Sequence, residues 1–295
     1  MPSLTHSNTV QSLHSWWSDS NPVGPTISIH AAAKPLMRVM YHSQARSFIR
    51  RNRDVAVSAA VMDVYLGYLA YKYVSGATKM LVLRELSVTA LSEAEAHIIV
   101  DALTPEPVLI SDLLHSANAG TRLGTCRLLG RLARWASLVD NILALEVSKR
   151  LVDLTSDFLV RVDALYALSE ISQWPAGARA IVGDNILFHI PKLLEASETE
   201  VRRCTSLLLG NLVCHNSTAP AVLALNPCPQ LVFLSTLDDV ARPSVMYALS
   251  AIGQTYDGAL AVLAAKESAV PGILGLSNPW TRGRPSAMLG YLALG

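Results

Sequence analysis

The chain has no apolar run of the length a bilayer demands. Its longest uncharged stretch, Cys204 to Leu237, is cut by His215-Asn216-Ser217-Thr218-Ala219-Pro220 and by Asn226-Pro227-Cys228-Pro229, so no apolar segment of about 20 residues survives. The opening Met1-Pro2-Ser3-Leu4-Thr5-His6 lacks the basic-then-apolar order of a secretory leader. Cysteine is scarce: Cys126, Cys204, Cys214 and Cys228 show no short paired spacing. They read as reduced thiols without metal or disulfide, which places the chain inside the cell, in the cytoplasm, with nothing that bars the nucleus. Asn216-Ser217-Thr218 matches a glycosylation sequon, but without a leader it reads as a polar loop. Net charge is only +1, so no global field recruits nucleic acid.

Catalytic signatures are missing as well. No glycine-rich phosphate loop, His-Glu-x-x-His helix or nucleophile elbow occurs, and no cofactor or enzymatic role is expected. Glu93, Glu95 and His97 resemble a cluster, yet Glu95 is used by a capping box with Ser92. Glu93 and His97, four apart, read as an ordinary helix pair.

What the chain does contain is repetition. Leu129-Gly130-Arg131-Leu132, Leu168-Ser169-Glu170-Ile171, Leu209-Gly210-Asn211-Leu212, Leu249-Ser250-Ala251-Ile252 and Leu289-Gly290-Tyr291-Leu292 follow one another at steps of 39, 41, 40 and 40 residues. Eight residues before each small residue stands an arginine: Arg122, Arg161, Arg202, Arg242 and Arg282. That period belongs to helical arrays, whose stacked units bury two faces and so account for an apolar content of 51%. Within a unit three helices alternate with polar breaks, as in Ala176–Val182, Ile186–Glu195 and Glu198–Val213, with Ser197 and Glu200 set to cap the last.

Three helices in about 40 residues, with Glu200-Val201 and Leu209-Gly210-Asn211-Leu212 on the long third helix, resemble the armadillo-repeat family. Together with the segment 1–91, the chain looks like the armadillo-type proteins of mushroom-forming fungi. The resemblance implies an all-α, right-handed superhelical solenoid of about five armadillo-like three-helix repeats, at about 92–135, 136–174, 175–215, 216–254 and 255–295. An irregular segment, 1–30, and an N-terminal helical cap, 31–91, precede the array.

Register on the long helices assigns roles. At 100° per residue Thr205, Leu209 and Leu212 face the core. The column Gly130, Ser169, Gly210, Ser250, Gly290 is small at every step although glycine costs about 1 kcal/mol in a helix, so a neighbouring helix is expected to approach closely there. The arginine column lies within about 20° of the core face, where its guanidinium groups are expected to cap the last carbonyls of the preceding middle helix. The opposite face is the concave surface. Arg127, Arg131, Arg134, Tyr166, Glu170, Leu207, Asn211, Tyr247 and Ala251 fall there, with Ala287 and Tyr291 beyond. In the armadillo family this surface receives extended peptides, and an Asn at the position of Asn211 holds the peptide main chain. Import adaptors pair that asparagine with a tryptophan one turn earlier; here Leu207 stands in its place, so that role does not fit.

Two functions follow as expectations. The first is a non-catalytic protein–protein scaffold gripping an extended, acidic or partly apolar peptide in the groove of Arg127, Arg131, Arg134, Tyr166, Glu170, Asn211 and Tyr247. The alternative is a phosphate-directed module. Its basic stripe, Lys34, Arg38, Arg46, Arg50, Arg51 and Arg53, would meet RNA or the surface of an anionic membrane. No aromatic interleaves that stripe for base stacking, which argues against nucleic acid and leaves any membrane contact peripheral. Trp16-Trp17 reads as a pair folded back on the first helices or as a docking motif. The chain stops at Ala293-Leu294-Gly295 without a polar closing helix, which suggests a fragment of a longer array or self-association through the last repeat.

Overall fold

The computed structural model describes residues 59–70 and 74–275. Trp16-Trp17, the stripe Lys34 to Arg53, Arg282, Ala287, Gly290, Tyr291 and the end of the chain lie outside the described residues. Every regular element among the described residues is helical. The chain divides into two compact units, Met1–Ala167 and Leu168–Gly295.

In the first unit α1 (Ala59–Ala70) and α2 (Gly76–Thr89) precede α3 (Glu93–Leu103), α4 (Pro107–Leu114) and the long α5 (Ala119–Ala133). A second triplet follows: a 3-10 turn at Ala136–Leu138 leading into α6 (Val139–Ala144), then α7 (Val147–Leu154) and α8 (Arg161–Ile171), the last running across the unit boundary. In the second unit α9 (Pro175–Gly183), a 3-10 turn at Ile186–Phe188 with α10 (Ile190–Leu194), and α11 (Thr199–Val213) form one triplet. Then come α12 (Ala219–Leu223), α13 (Cys228–Leu237) and α14 (Arg242–Ile252), followed by α15 (Tyr256–Gly275).

Local chemistry sets these breaks. Between first and second helices the chain turns through a left-handed residue at matching places, Glu146 (φ 53°), Asn185 (φ 67°) and Asn226 (φ 49°). Asparagine tolerates that conformation better than most residues do. Proline stands in the first turn of α4, α9, α10, α12, α13 and α14, where its missing N–H costs nothing. Ser92 caps α3 through the Glu95 N–H at 3.3 Å and gives its own proton to the Glu95 carboxylate at 2.8 Å. The box expected at Ser197 does not form. Glu198 is the residue before α11, Ser197 donates to the Glu198 carboxylate at 2.9 Å, and Glu200 is taken by Arg203.

Apolar burial between long helices holds each unit together. In the second unit α11 packs along α14, with Thr205, Leu209 and Leu212 fully enclosed, as their register requires. In the first, α2 packs along α5 in the same manner, and Leu83 touches Gly124. The caps show why: Ser75 and Asn118 each accept the N–H three residues on, and Lys79 stands four residues beyond its cap as Arg122 does. The segment expected to be a distinct cap thus contains, in α2, a helix placed like the long third helix of a repeat.

Candidate functional site

The arginine column is built into the fold. Arg122 Nη1 donates to the Ser116 carbonyl at 2.6 Å, just beyond α4, and Nη2 to Asp157 Oδ2 at 2.6 Å. Arg202 repeats the arrangement: Nη1 donates to the Ala196 and Ser197 carbonyls at 2.6 and 2.8 Å, Nη2 to Thr199 Oγ1 at 2.9 Å, and Nε to Asp238 Oδ2 at 2.7 Å. Arg242 donates to the Ser235 carbonyl at 2.7 Å and pairs with Asp239. Arg161 instead lies over the Phe158 ring, 4.8 Å from its centroid. Of these carbonyls only Ser235 belongs to a middle helix, α13, as expected; Ser116, Ala196 and Ser197 lie in the loops just beyond α4 and α10. Asp157 and Asp238 were missed, although they follow their arginines by 35 and 36 residues, a repeat-length signal.

Burial alone would raise the Asp238 carboxyl. The Ala241 N–H, the Arg202 hydrogen bond and the Arg202 charge outweigh it and hold the group below its ordinary value. Asp157 is likewise lowered: burial is opposed by the Arg122 hydrogen bond, the Leu159 N–H and the charges of Arg122 and Arg150.

The small column makes the expected close approach, and the approaching group is aromatic. A Cβ on Gly130 would meet Tyr166 ring carbons at 2.6 and 2.9 Å and the Ala167 Cα at 3.2 Å. On Gly210 it would meet Tyr247 ring carbons at 2.5 and 2.6 Å and the Ala248 Cα at 3.2 Å. Tyr166 and Tyr247 therefore lie down on the preceding long helix.

The predicted groove residues separate into two kinds. On α5 in the first unit Arg127 is well exposed and its Nε donates to Asp163 Oδ1 at 2.5 Å. Arg131 is half-buried and Arg134 exposed, and neither forms an ion pair among the described residues. In the second unit Asn211 is only 5% exposed. Its Nδ2 donates to the Ser169 carbonyl at 2.7 Å, and its Oδ1 accepts from the Tyr247 hydroxyl at 2.9 Å. His215, one turn on, donates to the Ser172 carbonyl at 2.9 Å, so Asn211 and His215 together satisfy the open end of α8. The Asn211 amide is therefore engaged inside the fold. Tyr247 keeps 40% of its surface exposed, and its hydroxyl pKa is pushed up to about 12 by burial first and by Cys214 next. Ala251 is buried, Leu207 half-buried, and Glu170 accepts from Gln173 at 2.7 Å.

Glu93 and His97 make a contact that spacing did not predict: Ser137 Oγ donates to Glu93 Oε1 at 2.8 Å and lies 3.0 Å from His97 Nε2. They tie α3 to the next first helix. No group of three His, Cys, Asp or Glu among the described residues could hold a metal. No described helix is long and apolar enough to cross a membrane.

No protein-family model and no curated protein matches the chain. Solved structures do. An engineered protein is 20% identical with a TM-score of 0.65, over 75% of this chain and 92% of its own. A designed armadillo repeat protein in complex with the peptide (KR)4 is 16% identical with a TM-score of 0.63, over 77% and 97%. Computationally designed armadillo repeat proteins for modular peptide recognition give 16% and 0.58, over 82% and 97%. With all-helical triplets at a step near 40 residues and these structural neighbours, the chain has the all-α armadillo-type fold.

Proposed function

We propose that the chain is a protein-binding scaffold that receives an extended, acidic and partly apolar segment of a partner on the exposed strip of its long third helices. The observation that carries this reading is on α5. Arg131 and Arg134, beside the exposed Arg127, present positive charge that no described carboxylate of the unit cancels except at Asp163. Arg122, Arg202 and Arg242 are consumed by carbonyls and aspartates, so surplus cations on one strip point to an anionic partner. Tyr166 and Tyr247, braced on Gly130 and Gly210, add rigid aromatic surface in each unit. Asn211 enters by seating Tyr247.

The structural neighbours support a peptide-binding use of such a strip, two of them being described as binding or recognising peptides. The sign differs: one is in complex with (KR)4, whereas the strip here is cationic. Selection from a displayed random-peptide library with the full chain tests the reading. Acidic, partly apolar sequences should be enriched, and their binding should be lost with Arg131→Glu and Arg134→Glu. Enrichment of basic sequences, or indifference to both substitutions, would overturn it.

A further inference from the structure

We infer that the seam between α2 and α5 is the seat of this recognition, and that it selects a segment in which acidic and aliphatic residues alternate. The inference rests on the cationic-strip reading and adds α2, which sequence placed in a cap.

The caps fix the register. Counting from Ser75 and from Asn118, the residues nine, thirteen and sixteen positions on are Arg84 and Val88 in α2 with Leu91 in the turn two residues past its end, and Arg127 and Arg131 in α5 with Arg134 as its C-cap. The two helices pack side by side, with Leu83 against Gly124, so these six residues form three levels. A spacing of four puts Arg84 with Val88, and Arg127 with Arg131, on one helix face, and Leu91 and Arg134 follow at the two helix ends. Arg84 is exposed, Val88 is 46% and Leu91 54% exposed, a pair of aliphatic groups that the fold leaves in water. Arg84, like Arg131 and Arg134, makes no ion pair among the described residues.

One wall of the seam is therefore mostly aliphatic and the other is guanidinium at every level. An extended chain sends successive side chains to opposite sides. Lying along the seam, it would turn one set of alternate residues toward Val88 and Leu91 and the other toward the arginines. The three levels span seven residue steps, about 10 Å at the helical rise, which an extended segment of about four residues covers. Exposed guanidinium groups hold carboxylates in bidentate geometry, and the aliphatic wall is covered by the intervening side chains. A uniformly acidic segment would leave that wall in water, and a basic one would be repelled.

Fluorescence anisotropy with labelled hexapeptides tests this on the full chain. Glu-Leu-Glu-Leu-Glu-Leu should bind more tightly than the same residues in blocks, Glu-Glu-Glu-Leu-Leu-Leu, and Lys-Leu-Lys-Leu-Lys-Leu should not bind. Raising the salt should weaken the alternating peptide. Val88→Asp or Leu91→Asp, and separately Arg84→Glu, should each weaken it about tenfold. These positions are exposed, and an unchanged melting temperature of each variant verifies that the fold is intact. Equal binding of alternating and blocked peptides, or failure of all three peptides to bind, overturns the inference. Binding lost with Arg131→Glu but untouched at Arg84, Val88 and Leu91 sinks the α2 assignment alone and leaves the scaffold reading standing.

Discussion

Arg202 carries five hydrogen bonds in three directions, to Ala196 and Ser197, to Thr199 and twice to Asp238. Only a planar fork can span two carbonyls and a carboxylate at once; an ammonium is a point donor. Arg202→Lys should therefore lower stability by about 1.5–3 kcal/mol in urea unfolding, while Arg203→Lys, half-buried and paired only with Glu200 one turn away, stays within about 0.5 kcal/mol. Stability unaffected by Arg202→Lys would mean that the side chain is not structural. The aspartates add a pH signature. A carboxyl whose folded pKa lies below its unfolded value stabilises the fold when ionised, fully so above the ordinary value of 3.8 and progressively less as pH falls through the lower folded one. Denaturant midpoints at pH 6 and pH 3 should show an acid loss in the parent chain that Asp238→Asn and Asp157→Asn each reduce. At this scale the sequence revealed that the arginines turn to main-chain carbonyls near the end of the middle helix, though for Arg122 and Arg202 these belong to the loop that follows it. It hid the carboxylates, because a partner one repeat away is visible only once the register of neighbouring units is known.

The pairing of long helices through a glycine and a tyrosine is a property of elements. Gly210 lets α11 and α14 approach until the Tyr247 ring and the Ala248 backbone occupy the place of a Cβ. Gly210→Leu should overpack this contact and cost about 1–3 kcal/mol. Gly210→Ala should cost clearly less in a Tyr247→Ala background, because loss of the ring removes the two tightest contacts, at 2.5 and 2.6 Å, and leaves the Ala248 Cα at 3.2 Å. Additivity of the two changes in a double-mutant cycle would show that they do not touch. The small column was legible, since glycine inside a helix needs a reason. The tyrosines were read as free groove side chains because a helical wheel fixes the direction of the Cα–Cβ bond and not where a long side chain lies afterwards. The start of α11 slipped for a related reason. Ser197 fits a cap by composition, yet the backbone places Glu198 at that position without a side-chain cap hydrogen bond. α2 escaped the 40-residue register because Ser87, twelve residues past its cap as Gly130 is past Asn118, precedes Gly130 by 43 residues. Part of the excess is the first helix between them, α3, with 11 residues against nine in α9.

At the scale of the molecule, a repeat chain has no single centre: each long helix is buried by its neighbours, and stability is nearly a sum of unit and nearest-neighbour terms. The repeat step that reveals this fold therefore also determines how damage spreads. Leu209 is fully buried on α11, the helix that packs along α14, and Leu209→Ala should cost about 2–5 kcal/mol through the cavity left behind. Hydrogen exchange should show where that cost falls. Amides of α10, α11 and α14 should lose protection first, since they share the broken interface or lie against it. Amides of α2 and α5, stabilised by their own contact at Leu83 and Gly124, should keep most of theirs. A uniform loss across all described helices would mean one cooperative core and would contradict nearest-neighbour stacking. A loss confined to the second unit should leave binding at the α2–α5 seam intact, so the same variant separates damage to the fold from damage to recognition.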